Sequence, residues 1–256
     1  MKRYFLAGLI LCFSFLAQLL PAQTFSVGLQ GGISIPQLKS SGENEISKDY
    51  SSRLAATFGL FADAGITRQL SLKVAVNYAG QGGKRQGVQP VTMLPPLLSQ
   101  MLPPGTMLYA DFDNESVLNY LEVPATVKFT WGSTFKYFIN AGPYIGFLLN
   151  STQKTEGNSK LYFDKGSTQP VFIQGQPLPP QSFNAETDIK KDIHPINLGL
   201  TGGIGFAYPV SRTGEIILDA RAAYGLTTIQ KNTASNGKSH TGGLFLTLGY
   251  AYTLNR

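Results

Sequence analysis

The sequence has 256 residues, of which 43% are hydrophobic and 14% charged, and its 21 basic and 15 acidic side chains give a formal net charge of +6. A basic excess this small does not indicate a nucleic-acid-binding protein. The single cysteine, Cys12, excludes a disulfide framework within the chain and a cysteine metal site.

Residues 1–22 have the layout of a secretory signal peptide. Lys2 and Arg3 precede an apolar run over residues 4–20, and Ala22 follows at the point where we predict cleavage. An N-terminal membrane anchor is the alternative, but the run is only about as long as the shortest spanning helices, and a strand pattern follows it. We therefore predict export through the inner membrane.

The mature chain, residues 23–256, is predicted to be a single domain without a cysteine. It has 19 basic residues against 15 acidic ones, a net charge of +4, because Lys2 and Arg3 are removed. Its length suits one large β domain or two small ones. No later stretch approaches twenty apolar residues, so only a closed barrel of strands would let this chain span a membrane.

Alternation of apolar and polar residues, the pattern of β-strands, recurs eight times. Most of these runs reach the nine to eleven residues that a tilted strand needs to cross a bilayer, whereas soluble strands are usually nearer five or six. The predicted strands are Thr24–Ile35, Arg53–Ile66, Leu70–Gly82, Asn119–Phe129, Phe135–Leu149, Asn197–Ala207, Glu215–Leu226 and Leu244–Leu254.

The two faces of these strands differ in charge. In YLEVPATVKF, residues 120–129, Leu121, Val123 and Val127 share one face while Glu122 and Lys128 share the other. A lysine or arginine that faces lipid at mid-bilayer costs roughly 2 to 4 kcal/mol, so we expect the uncharged face to contact lipid. The opposite face is predicted to form a polar network in the lumen, with Arg53, Asp63, Lys73, Glu122, Lys128, Lys136, Asp219 and Arg221.

The connections alternate between short and long. The short ones are 67–69, 130–134 and 208–214, and the long ones are 36–52, 83–118, 150–196 and 227–243. Short periplasmic turns and long extracellular loops are the plan of outer-membrane barrels. The sequence therefore predicts an all-β fold, an eight-stranded antiparallel up-and-down transmembrane β-barrel.

Aromatic residues gather near the predicted periplasmic turns, as expected of rings that favour a membrane–water interface. These interfacial aromatics are Phe129, Trp131, Phe135, Tyr137, Tyr208, Tyr250 and Tyr252. Pro124 and Pro143 each remove a ladder hydrogen bond, so we expect a bulge or a local break there. Glycines on the inward parity are expected where a narrow barrel leaves little space.

Several stretches resemble the outer-membrane β-barrel family of the Gram-negative Bacteroidetes, often called PorT-like. They are VGLQGGISI at 27–35, YLEVPATVKF at 120–129, INAGPYIGFLL at 139–149, LGLTGGIGFAY at 198–208, ILDARAAYGLTTI at 217–229 and LFLTLGYAY at 244–252. The resemblance implies an eight-stranded barrel integral to the bacterial outer membrane, with Pro124 and Pro143 as family features. The C-terminus departs from the family, because Leu254, Asn255 and Arg256 follow Tyr252 where such barrels commonly end on an aromatic residue.

The two histidines, His194 and His240, each lie at the outer end of a predicted strand. Outer-membrane lipid-modifying enzymes use histidine and serine on such barrels, and Ser239 precedes His240. Adjacent strand residues point to opposite faces, so this pair makes a poor nucleophile and base. We therefore predict no catalytic, cofactor-binding or metal-binding residues.

The inward charges suit either a permeation path or a filled, salt-bridged interior. An eight-stranded barrel is only wide enough for its own side chains, which favours the filled interior. Glu122, Lys128, Asp219 and Arg221 are the residues most expected in that network.

The loop 83–118 contains the methionine-rich stretch VTMLPPLLSQMLPPGTMLY at 91–109. Pro96 suits the start of a short helix and Pro103 its end. An apolar, methionine-rich loop suits an adaptable partner surface, and a lid packed on the barrel mouth is the alternative. The candidate interface residues are Met93, Leu97, Leu98, Met101 and Met107.

These observations favour an outer-membrane barrel that acts through its extracellular loops as an adhesion, assembly or secretion-accessory component. The resemblance allows a role in type IX secretion. A narrow porin or small-solute carrier is the alternative, and an outer-membrane lipid-modifying enzyme is the third interpretation. The expected partners are outer-membrane lipid, lipopolysaccharide, the barrel-assembly machinery during biogenesis and a protein bound through loop 83–118, with no nucleic acid and no cofactor.

Overall fold

The structure is a computed structural model that describes residues 24–41, 44–91, 96–103, 105–173 and 175–255. The predicted signal peptide lies outside these residues. Eight long strands occur close to the eight predicted positions. They are β1 (Thr24–Ser40), β2 (Ala55–Gly65), β3 (Leu70–Arg85), β4 (Asp113–Trp131), β5 (Lys136–Glu156), β6 (Ile196–Pro209), β7 (Gly214–Gly225) and β8 (Ser239–Asn255).

These strands close into a ring in which each is antiparallel to both of its neighbours. Consecutive strands pair from β1 to β8, and β1 also pairs with β8 over most of its length, for example Leu29 with Tyr250 and Ser40 with Ser239. Closure leaves no unpaired sheet edge, as a β-structure in hydrocarbon requires. The prediction of an eight-stranded antiparallel up-and-down barrel is therefore confirmed.

The barrel wall has an apolar outer face and a polar inner face. On β1, Leu29 and Ile33 are 59% and 44% exposed, whereas Gln30 and Ser34 are buried inside the ring. The same alternation runs round the barrel, with exposed side chains such as Leu60, Ile204, Leu244 and Leu248 outside. Hydrocarbon tails are the only solvent that suits this outer face.

Five strands run at least three residues farther outward than the sequence predicts. Their ladders continue beyond the predicted ends at residues 35, 82, 119, 149 and 244, and Asp113 of β4 still pairs with Glu156 of β5. Polar residues such as Asn114 and Gln153 line these extensions. The apolar alternation stops where the wall leaves the lipid, but backbone hydrogen bonding continues, so periodicity alone underestimates the strands.

The two prolines interrupt the ladder as expected. Pairing between β3 and β4 stops at Val74 with Ala125 and resumes at Asn77 with Glu122, across Pro124. The β4–β5 ladder is likewise interrupted opposite Pro143. The local break is confirmed, while the bulge lies elsewhere, between Asn119 and Tyr120 of β4, where Leu149 of β5 is left over.

The connections alternate in length as predicted. Short turns at 66–69, 132–135 and 210–213 face the periplasm, and extracellular segments span 41–54, 86–112, 157–195 and 226–238. Among the residues described, no helix has the length and apolar character needed to cross a membrane. The outer segments contain helices α1 (Pro96–Met101) and α2 (Thr233–Asn236) and short strands Val88–Pro90, Tyr109–Asp111, Asn158–Ser159, Phe172–Ile173, Gln176–Pro177, Gln181–Ser182 and Ala185–Asp188.

Candidate functional site

The lumen is built around three cations, each held by one carboxylate and one aromatic ring. Lys73 is the central one: its Nζ lies 3.4 Å from Asp219 Oδ2 and 4.5 Å from the centre of the Phe61 ring. Both charged side chains are only 8% exposed. A buried charge of this kind persists only when it is paired, and the ring adds a favourable electrostatic contact.

The other two cations repeat this arrangement at different heights. Lys128 Nζ lies 2.6 Å from Asp63 Oδ2 and 4.9 Å from the centre of the Phe138 ring. Arg221 Nη2 lies 4.0 Å from Glu122 Oε2, and its guanidinium lies 4.7 Å from the centre of the Phe245 ring. Six of the eight predicted lumen charges thus come together in three pairs. The three phenylalanines of these clusters point into the lumen although they are apolar. The alternation of polar and apolar residues therefore did not predict their direction.

Amide side chains extend two of these ion pairs through hydrogen bonds. Lys73 Nζ donates to Gln30 Oε1 at 3.1 Å, and Gln30 Nε2 donates to Asn77 Oδ1 at 2.8 Å. Gln81 Nε2 donates to Glu122 Oε1 at 2.7 Å. These amides alternate with apolar residues along β1 and β3, so their inward direction was predictable but their partners were not.

The remaining two predicted lumen residues lie at opposite openings. Lys136 pairs with Glu215 at the periplasmic end, where both side chains are partly exposed. The prediction that Arg53 faces the lumen is corrected, because β2 begins only at Ala55. Arg53 precedes the strand, and its backbone N–H donates to Pro36 O. Its side chain pairs with Glu115 at 2.7 Å on the outer rim rather than in the lumen.

Two inward glycines make room for the inward rings. A Cβ on Gly28 would lie 2.3 Å from Phe61 Cζ, and one on Gly205 would lie 2.3 Å from Phe138 Cζ. Either distance is far below a normal contact, so each ring fills the space that its glycine leaves empty. Gly28 and Gly205 therefore accommodate the aromatic rings of the lumen.

The open space of the lumen is divided into two cavities. The outer cavity, about 300 Å³, is lined by residues including Arg85, Gln89 and Ile193, and the periplasmic one, about 380 Å³, by residues including Asp63 and Lys128. Between them, the void beside Lys73 and Asp219 is only about 20 Å³. That void has room for about one water molecule.

The extracellular segments form a second packed body, which we call the crown, comprising the described parts of residues 88–112 and 157–183. Its backbone is tied by reciprocal hydrogen bonds between Tyr109 and Tyr162, at 2.8 and 2.9 Å. Phe112 and Phe183 stack with ring centres 4.7 Å apart. Its buried core consists of Leu98, Leu108, Ala110, Phe112, Leu161 and Val171.

The predicted interface residues separate into two groups in the crown. Leu98 is 4% exposed and packs in the crown core, so it has no surface for a partner, and its prediction is corrected. Met101 and Met107 are 54% and 40% exposed. Met93 lies outside the residues described, and only the backbone of Leu97, in α1, is described.

Residues 17–231 match the family described as "Outer membrane protein beta-barrel domain". The chain belongs to this family. It is therefore an integral protein of the outer membrane. No curated protein matches it, and the narrower likeness to the PorT-like proteins of Bacteroidetes stays a prediction.

Solved outer-membrane barrels are similar over nearly the whole chain. A major outer membrane protein from Thermus thermophilus is 11% identical, with 90% of this chain and 98% of that chain covered and a TM-score of 0.45. OprG from Pseudomonas aeruginosa is 10% identical, with 91% and 98% covered and a TM-score of 0.39. Ail, the attachment invasion locus protein of Yersinia pestis, is 12% identical, with 89% and 98% covered and a TM-score of 0.36.

The seven predicted interfacial aromatics of this outer-membrane barrel all lie on its outer face and are 40% exposed or more. Several are in contact with one another near the periplasmic turns. Trp131 lies 6.0 Å from Phe129 and 6.3 Å from Tyr137 between ring centres, and Phe135 lies 5.0 Å from Tyr208. Their placement suits the periplasmic membrane–water interface.

The histidine His240 has a different serine neighbour from the one that the sequence suggests. Ser239 is buried inside the wall, whereas the His240 ring points outward and its Nε2 lies 3.2 Å from Ser41 Oγ. Its Nδ1 lies 3.1 Å from the Gly225 carbonyl oxygen, so a backbone carbonyl rather than a carboxylate orients the ring. Within the described ranges, no group of three or more potential metal ligands occurs.

Proposed function

We propose that this protein is a non-enzymatic outer-membrane barrel that acts through its crown, as an adhesion, assembly or secretion-accessory component. The observation that carries the proposal is the apolar core of the crown. Long loops are usually either functional or disordered. These loops are ordered, because they bury Leu108 and Leu161 to 0% and 1% exposure outside the membrane. A packed core holds the surface above it in one shape, which specific recognition of a partner requires.

The recognition surface that we propose includes the exposed apolar residues of the crown. Met101 is 54% exposed, Met107 is 40%, Phe163 is 43% and Phe172 is 56%. Methionine and aromatic side chains are enriched where proteins bind other proteins, because they offer large, adaptable apolar contact area. The predicted partner bound through loop 83–118 would contact this surface.

The experiment compares three forms of the full chain produced in outer membranes. The crown-surface variant combines Met101→Asp, Met107→Asp and Phe172→Asp. The control carries Val210→Asp, which changes a 49% exposed apolar residue at a periplasmic turn. Heat-modifiable migration on gels verifies that each form has a folded barrel. We expect a surface protein to co-purify with the parent chain and with the control but not with the crown-surface variant. Equal recovery of that protein with all three forms would contradict the proposal.

A narrow pore or small-solute carrier is the second candidate function. The cavities at the two ends of the lumen favour it, because each is large enough for a small solute. The void of about 20 Å³ between them favours the closed barrel instead. Conductance in planar bilayers separates the two.

A lipid-modifying enzyme is the third candidate, favoured only by the contact between His240 and Ser41. A serine nucleophile needs a base that a third group orients and donors that stabilise the oxyanion. Here the group that orients His240 is the uncharged carbonyl of Gly225, which supports a structural role for the pair.

A further inference from the structure

The basic residues on the outer rim of the barrel are distributed in two different ways. On one side most of them are in ion pairs: Lys154 Nζ lies 3.8 Å from Glu186, and Lys165 Nζ lies 3.3 Å from Asp49. Lys84 and Lys160 are the exposed exceptions in the described part of that side. On the other side, over β6, β7, β8 and β1, five exposed lysines have no carboxylate within 4.0 Å in the described part of the chain. This basic arc consists of Lys39, Lys190, Lys191, Lys231 and Lys238.

Hydrogen bonds to backbone carbonyls hold two of these ammonium groups at the rim. Lys190 Nζ donates to the carbonyl oxygen of Leu149, the bulge residue of β5. Lys231 Nζ donates to Lys191 O at 2.7 Å. The Lys231 N–H also bonds to Asp192 O at 2.9 Å, which ties segment 226–238 to the end of segment 157–195. Lys190, Lys191 and Lys231 are therefore held in place at the rim by these bonds.

The local charge balance is basic. Segment 226–238 contains Lys231 and Lys238 and no acidic residue. The adjoining residues 188–195 contain two carboxylates, Asp188 and Asp192. Asp188 Oδ1 accepts the backbone N–H of Lys190 at 2.8 Å. Together these two stretches contain four lysines and two carboxylates, so they carry a formal net charge of +2.

At its β1 end, the arc lies on the lipid side of the wall. Lys39 pairs with His240 across the β1–β8 ladder, and it shares the outward parity of Ile35. The His240 ring stacks on Tyr224, with ring centres 6.0 Å apart. Immediately toward the membrane is a belt of exposed apolar side chains, namely Ile35, Ile196, Leu198, Tyr224, Leu226 and Leu244.

We propose that the basic arc binds the phosphate groups of a phosphorylated glycolipid in the outer leaflet, with the acyl chains of that lipid against the apolar belt below. Ammonium groups beside a membrane attract anionic head groups strongly. A soluble phosphate would use the lysines but not the belt, which is why we assign the arc to a lipid. This site is independent of the proposed function of the crown.

The test uses the full chain in detergent micelles and diphosphoryl lipid A as the probe. The arc variant combines Lys39→Gln, Lys190→Gln and Lys238→Gln. The matched control combines Lys48→Gln, Lys154→Gln and Lys165→Gln, which removes the same charge from exposed lysines that have acidic partners. Lipid affinity is measured by microscale thermophoresis, and barrel folding by heat-modifiable migration. Single Lys39→Gln and Lys238→Gln variants replace the triple variant if it does not fold.

We expect the arc variant to bind diphosphoryl lipid A at least about tenfold more weakly than the parent chain, and the control to stay within about twofold. Higher ionic strength should reduce the difference, because the contacts are exposed. Equal loss in both triple variants would overturn the proposal. Equal binding of lipid A stripped of its phosphates would also overturn it, as would inorganic pyrophosphate binding as tightly as the lipid.

Discussion

The lumen and the crown are both packed interiors, but they are packed by different side chains. In the lumen, charges such as Lys73 and Asp219 are buried against each other and against aromatic rings. In the crown, Leu108 and Leu161 form an apolar core of the kind found in soluble domains. The wall between lipid and lumen already uses its apolar side chains on the lipid side, so the lumen is left with the polar parity. The crown lies outside the membrane and must bury its own apolar residues away from water.

Because of this difference, we expect the lumen to stabilise the barrel and the crown to recognise partners. The paired charges of the lumen fix the strands relative to one another, and they have few atoms free for a ligand. The crown presents Met101 and Phe172 on a surface that its own core supports. The comparison therefore assigns the stability of the barrel to the lumen and supports the proposal that partners contact the crown.

The largest effect is expected from removal of one partner of a buried lumen pair. Asp219→Ala leaves the Lys73 ammonium buried without its carboxylate, which should lower the free energy of unfolding by about 3 to 5 kcal/mol. Urea unfolding in lipid vesicles, followed by tryptophan fluorescence of Trp131, measures the change. Glu186→Ala is the control, because its pair with Lys154 is more than half exposed and should contribute about 0 to 1 kcal/mol.

A double replacement makes this prediction more specific. Lys73→Met with Asp219→Leu removes both charges at similar volume and should recover most of the stability that Asp219→Ala loses. Equal destabilisation by Asp219→Ala and Glu186→Ala would contradict the assignment of stability to the lumen.

A smaller effect is expected where a ring fills the space beside a glycine. Gly28→Ala would bring a Cβ to 2.3 Å from Phe61 and 2.4 Å from the Tyr250 carbonyl oxygen, and should cost about 1 to 3 kcal/mol in unfolding free energy. Gly31→Ala on the same strand is the matched control, because its Cβ would lie 3.7 Å from Phe58, an ordinary contact. Indistinguishable unfolding midpoints for the two variants would refute the ring-and-glycine fit.

A local effect is expected in the crown. Leu161→Asp places a charge in the crown core, so the crown should open and become sensitive to trypsin at Lys160 and Lys165 while the barrel keeps its heat-modifiable migration. Met101→Asp, on the exposed surface, should leave the crown resistant. Cleavage of both variants at the rate of the parent chain would show that the crown core does not hold these segments together.

The smallest effect concerns His240. His240→Ala removes the contacts to Ser41 and to the Gly225 carbonyl at the outer rim, and should change the unfolding free energy by about 1 kcal/mol or less. Release of fatty acid from lipid A by the parent chain, lost in both His240→Ala and Ser41→Ala, would contradict the non-enzymatic assignment.

The sequence predicts the strands of the barrel wall far better than it predicts the side-chain contacts in the lumen and in the crown. The alternation in residues 120–129 identifies a strand and its lipid side, because that pattern depends only on the period of the backbone. It does not reveal that Lys136 pairs with Glu215, since the pairing depends on how strands distant in sequence meet across the lumen. Inward phenylalanines such as Phe61 and Phe138 were missed for the same reason.

The crown illustrates a second limit of sequence reasoning. Segment 169–183 is polar and rich in proline, which predicts a mobile loop, yet Ile173, Leu178 and Phe183 pack against the crown core. These apolar residues have no regular period, because short strands and turns place them in the core one at a time. A periodic sequence pattern indicates burial only in regular secondary structure, where the backbone conformation is the same from residue to residue.

Conductance of the purified full chain in planar lipid bilayers tests the central claim most directly, because the claim is that paired side chains close the lumen. The account predicts no stepwise current above the bilayer background, with the crown intact or with residues 91–104 deleted. Stable, porin-like current steps from the parent chain would contradict it, since ions cannot pass a lumen blocked at Lys73 and Asp219.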